Sequence, residues 1–142
     1  MNVEDPHRQL YHELTAYTLS HPDPSFIHQH VVDAFAAQTA DETTKPITLA
    51  FALVGLYLRS ERQYSGKQVQ RVHMLLARRR KQWPRFDIPE DRGAITVRDV
   101  MEAPPGPERD EMIREWADCV WHAYSAQRDS VVDLLKTVLG WA

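Results

Sequence analysis

The run from Ile47 to Leu58 reads ITLAFALVGLYL, and only Thr48, Gly55 and Tyr57 relieve its apolarity. Crossing a bilayer takes about 20 residues, so this run is too short to span one. A surface helix keeps its apolar residues to one stripe, and this run has them on every side. The pattern predicts a central helix from about Pro46 to Arg62 that other helices must surround. Arg59 and Arg62 fall in its last turn, at the negative end of the helix dipole.

Four more segments show helical spacing. The first runs from about Pro6 to Ser20, with Leu10, Leu14 and Tyr17 in phase and Asp5-Pro6 as its start signal. The prolines of His21-Pro22-Asp23-Pro24-Ser25 end it. The second runs from about Ser25 to Gln38, with Phe26, His30, Asp33 and Ala37 on one face. Thr44 is the expected cap of the central helix and Pro46 an early position in it. The fourth runs from about Gly66 to Gln82 behind Ser65, with Val69, Val72, Leu75 and Leu76 as its inner face, and Trp83-Pro84 closes it. The fifth is expected as one long helix from about Pro107 to Val138, on a stripe of Met112, Trp116, Val120, Tyr124, Val131, Leu134 and Val138. Gln127 is the only amide on that stripe.

Pro84 to Pro107 is less regular, and a connection this long carries structure of its own. Ile95-Thr96-Val97 is compatible with a short strand. Thr96 with Asp99 also forms a capping pair for a single helical turn, Val97 to Glu102, which we favour. The expected architecture is all-α: a single-domain bundle of about five helices over residues 1–142, with a buried central helix and an irregular 84–107 connection.

Composition changes this picture little. The chain has 142 residues, 43% hydrophobic and 26% charged, with net charge −3. That is the make-up of an ordinary soluble protein, with no strong field aimed at nucleic acid or membrane. The run Ala77 to Trp83, ARRRKQW, reads as a solvated helix end rather than a phosphate-binding patch. One cysteine, Cys119, excludes an intrachain disulfide; it is expected to be a small buried hydrophobe. The first residues, MNVEDPHRQ, carry no signal-peptide pattern, and the cytoplasm is the expected compartment.

Candidate chemistry rests on seven histidines. His30 and Asp33, three apart, share a helix face. Bundles hold metals with histidines and carboxylates from facing helices. Candidate ligands for a divalent metal ion are His28, His30, Asp33 and His73, and His12, Glu61 and His122 are further candidates for a third position. The competing and stronger expectation is that these histidines are solvated or bonded to neighbouring carboxylates. There is no HExxH, CxxC, phosphate loop or GxSxG. Trp121 is expected beside the main stripe, facing a groove or a partner. Trp141 is expected either to pack back or to meet a second subunit.

Two stretches, Val32-Asp-Ala-Phe-Ala-Ala-Gln38 and Trp116-Ala-Asp-Cys-Val-Trp-His-Ala-Tyr124, resemble an uncharacterised bacterial family of helical proteins. Its members carry helices of the form H-x4-D-A-[YF]-A-x-Q and W-A-x-x-V-W-x-A-[WY], and its function is unknown. The resemblance runs from about Tyr11 onward. It pairs His28, rather than His30, with Asp33. It also implies further histidines where this chain has Ala52 and Gln127, and an early cysteine-containing segment that is absent here. Such a set pointing into a bundle resembles a metal site. The resemblance implies that this chain has weakened or lost it, with Gln127 as a polar remnant bonded to His28 or Asp33.

Two functions follow as expectations. The first is a helical module that binds a partner or small ligand and self-associates as a homodimer. The second is a metal-dependent hydrolase or transferase of a DinB-like bundle class, by analogy of fold alone.

Overall fold

A computed structural model of the chain describes residues 6–141. Asp5, the expected first cap, lies outside them. Seven α-helices run in order: α1 Pro6–Ser20, α2 His28–Gln38, α3 Pro46–Arg62, α4 Gly66–Arg79, α5 Val97–Glu102, α6 Pro107–Ala123 and α7 Arg128–Leu139. A 3-10 turn, Ser125–Gln127, joins the last two. There is no strand among the described residues. The all-helical expectation holds, and the count of about five is corrected to seven.

Helix α3 is central. Every residue from Ala52 to Leu58 is buried, and α2, α4, α6 and α7 all pack on it. Its first turn is the exception, with Ile47 37% exposed. Lys45, not Thr44, is its N-cap; the Thr44 hydroxyl instead accepts from the Asp41 amide.

The expected fifth helix is broken. From Ser125 to Ser130 the sequence offers no large apolar side chain, so nothing there anchors the chain to α2. The chain turns at this lapse. Helix α6 covers α2 and α3, while α7 covers α3 and α4. Helix α2 begins at His28 rather than Ser25, because Asp23 gathers the amides of Ser25 and Ile27 into a turn. Phe26 there takes a left-handed conformation, φ 59°.

Both capping pairs form. Ser65 Oγ accepts from the Gln68 amide while the Gln68 side chain accepts from Ser65 N. Asp99 accepts from Thr96 N at 2.8 Å, and Thr96 Oγ1 accepts from Arg98 N. The helical turn, not the strand, is therefore the correct alternative at 95–97. Leu75 does not face inward: it is 39% exposed, and His73 fills the inner face with Val69, Val72 and Leu76.

The last carbonyls of α2 lack helical partners, as at any helix C-terminus. Tyr124 Oη donates to Ala37 O at 2.6 Å, and Arg92 donates to Gln38 O and Ala40 O. The Gln38 side chain donates to Ile95 O and accepts from Trp116 Nε1. These contacts pin the irregular connection to the core. Tyr124→Phe strands a buried carbonyl, so it should cost about 1–3 kcal/mol of stability, measured by urea unfolding. An unchanged midpoint would show that water replaces the hydroxyl.

Trp121 is buried, its Nε1 donating to Glu61. Trp141 packs back on its own chain, with the Arg62 guanidinium 5.1 Å above its ring. Cys119 is half-buried rather than buried. No helix among the described residues is long and apolar enough to cross a membrane.

Candidate functional site

Helix α2 brings Asp33 inward, opposite the one glycine of α3. A Cβ built on Gly55 would lie 2.6 Å from Asp33 Cγ and 3.2 Å from Oδ1, and closer still to Oδ2. Glycine at 55 is what lets the carboxyl sit against the α3 backbone. Asp33 is 3% exposed. Gln29 Nε2, one turn earlier, donates to Oδ1 at 3.1 Å, and Oδ2 has no hydrogen-bond partner among the described residues. Burial pushes the Asp33 carboxyl well above the ordinary carboxylate range, with the Gln29 bond opposing. The cause is that charge is costly in a low-dielectric interior.

Asp33 lies on the wall of a pocket of about 320 Å³ between α2, α3 and α4. Gln29, Ile47, Phe51, Ala52 and His73 contribute to the same wall. His73 Nε2 lies 2.8 Å from Phe51 O. A carbonyl only accepts, so Nε2 carries the proton and Nδ1 is an acceptor. Its ring stacks on Phe51 at 4.8 Å. Burial holds His73 down at about 4, so it is neutral at neutral pH.

The other candidates lie apart. His28 Nδ1 contacts Thr18 Oγ1 at 2.9 Å, toward α1. His30 is 5% exposed, and its Nδ1 has no hydrogen-bond partner. Burial, then the Arg59 and Arg114 cations, lowers it to about 4. Gln127 is not bonded to His28 or Asp33: its Oε1 accepts from the Asp87 amide at 3.2 Å. The break before α7 carries it to the outside of the α6 stripe. Glu61 is engaged by Trp121 and Arg128. His12 and His122 are exposed.

Of the four named ligands, then, only Asp33 and His73 share a pocket. Among the described residues, no three of His, Cys, Asp and Glu gather as metal ligands do. Ala52, where the resemblance places a histidine, does line the Asp33 pocket. Gly55 and Gln29 were the residues the sequence left unmarked. The only signal for Gly55 was a lone glycine inside an apolar helix, which points to close packing.

A larger, open hollow of about 870 Å³ lies between the 89–95 segment and α6, beside Cys119 and His122. Asp118 on its edge accepts from Ser60 at 2.6 Å. Its charged side chains, Asp91, Glu115 and Asp118, are exposed, so it has no counterpart to the buried carboxyl.

Fold and pocket together define a helical bundle whose core holds a buried carboxyl beside a small cavity. Residues 8–125 match the family described as "Family of unknown function (DUF5946)", and the chain belongs to that family. No curated protein and no solved structure matches it. The structure gives the two quoted motifs a shared physical role at their ends: Gln38 meets Trp116, and Ala37 meets Tyr124.

Proposed function

We propose that the chain is a helical module that binds a small ligand in the pocket between α2, α3 and α4. The observation behind this is Asp33, a residue on the wall of a cavity whose Oδ2 is buried without a hydrogen-bond partner among the described residues. Leaving such an atom unpaired costs about 1–3 kcal/mol. Strained and unsatisfied groups of this kind collect where a protein binds something. The cavity, at about 320 Å³, lies at the small end of ligand sites.

The test is a ligand-observed NMR screen of small fragments against the chain and against Ala36→Phe. Ala36 lies on the pocket wall and is half-buried, so a larger side chain there fills the cavity from its open side. Fragments should bind the parent chain and lose their signal changes with Ala36→Phe, while the helical circular dichroism is kept. Binding that persists in the filled variant sinks the proposal, as does an absence of any hit.

Self-association belongs to the same proposal, on the adjacent exposed Met74 and Leu75 of α4. A monomeric mass by light scattering at high concentration would remove that clause. The metal-dependent alternative has Asp33 and His73 on one pocket and lacks a third ligand there. Stoichiometric zinc, nickel, iron or manganese in untagged protein would revive it.

A further inference from the structure

Resting on that pocket as the binding site, we propose that it takes a small organic ammonium with an apolar body, whose nitrogen replaces the Gln29 amide at Asp33. The geometry carries this in three steps. Among the described residues, the only hydrogen bond to the carboxyl is the 3.1 Å contact from Gln29 Nε2, a half-buried side chain on the pocket wall. That amide holds the position of an N–H donor and can yield it to a stronger one. An ammonium makes a charge-assisted hydrogen bond, roughly twice as strong as the neutral one it displaces.

The second step is the sign of the wall. Among the described residues, no Lys or Arg lines the pocket. His73 is neutral and spends its proton on Phe51 O. An anion would find no cation on that wall to pair with. The third step is the body of the ligand. Ile47, Phe51 and Ala52 offer apolar contact.

Binding carries a proton cost that can be read. Burial disfavours the Asp33 carboxylate in the free protein, and pairing with an ammonium favours it. Ligand entry therefore drives proton release to solvent. The groups facing Asp33 are few. Tyr11 comes from α1, with a hydroxyl raised first by burial and then by Asp33, and with Arg8 acting against both. His73 comes from α4, Gln29 from α2 itself, and α3 offers Gly55 and Ala52, which do not titrate. Tyr11 stays protonated throughout the neutral range, so the proton released is that of Asp33.

The experiment is isothermal titration of the full chain with benzylammonium, benzyl alcohol and benzoate. The pair n-butylammonium and n-butanol covers a second shape. Each titration is repeated in two buffers of different ionisation enthalpy. At least one ammonium should bind about tenfold or more tightly than its alcohol, benzoate should be the weakest, and ammonium binding should release protons where alcohol binding does not. Asp33→Asn should erase the ammonium preference and the proton release, and Gln29→Ala should keep both. If Asp33→Asn fails to fold, the charge series and the proton count in the parent chain decide alone. Alcohols that match or exceed their ammonium partners overturn the inference and leave the pocket proposal standing. Failure of all five probes, together with a silent fragment screen, overturns both.

Discussion

Gly55→Ala is expected to destabilise the chain by about 2–3 kcal/mol, although a glycine in mid-helix is ordinarily improved by alanine by about 1 kcal/mol. The sign reverses because the new methyl would fall inside the Asp33 carboxyl, 2.6 Å from Cγ. To admit the methyl, the carboxyl must rotate away from α3 and give up its bond from Gln29. Asp33→Ala empties that space. In the Asp33→Ala background, Gly55→Ala should therefore be neutral or stabilising. The coupling between the two sites, read from urea unfolding of the four variants, should fall in the range of about 2–3 kcal/mol expected for side chains in direct contact. A Gly55→Ala protein that is more stable than the parent would show that the carboxyl does not occupy that cradle.

The second large effect is loss of stability in mild acid. His30 and His73 are each held at about 4 against an ordinary 6.5. Burial is the first cause for both, and the Arg59 and Arg114 cations add to it at His30. A folded-state value below the unfolded one means that the unfolded chain protonates first. The stability is intact above about pH 6.5 and drains away as the pH falls toward 4. Each histidine contributes on the order of 3 kcal/mol across that window. Asp33 acts in the opposite sense. Its raised value makes the folded state the better proton binder above the ordinary carboxylate range, so its contribution is largest in acid and is lost as pH rises. Asp33 offsets part of this dependence, and the two histidines set its sign. The urea midpoint should fall steeply between pH 6.5 and 5. His30→Gln should remove about half of the histidine contribution and flatten the curve. A variant whose pH curve parallels the parent's would mean that His30 titrates normally and is not buried as described.

Much of the fold was legible because local physics dictated it. The α3 run is apolar on every face, so no arrangement other than encirclement hides it. The Ser65 and Thr96 capping boxes pair residues three apart, and Pro6, Pro46 and Pro107 each open a helix. These are contacts within one turn of chain. The break after Tyr124 was less legible. A stripe that skips one turn is compatible with a continuous helix, and only the choice between packing on α2 and packing on α4 makes the chain bend there. Leu75 and His73 were exchanged for a similar reason. Both positions neighbour Val72 and Leu76 on a helical wheel, and hydrophobicity favours Leu75. The polar contact of His73 with Phe51 O on α3 turns the balance.

The candidate site divides along the same line. Sequence alone determined that this is an all-helical chain around one apolar helix, that Asp33 lies on a helix with His28 and His30, and that no complete catalytic motif is present. Those properties follow from composition and from spacings of a few residues. Only the tertiary structure decided that Asp33 meets Gly55 and shares a pocket with His73, while His28 turns to Thr18 and Gln127 to Asp87. Those pairings depend on how α2, α3 and α4 rotate against one another. That rotation is set by the close approach of two helices at a residue with no side chain, summed with packing contacts far apart in the chain.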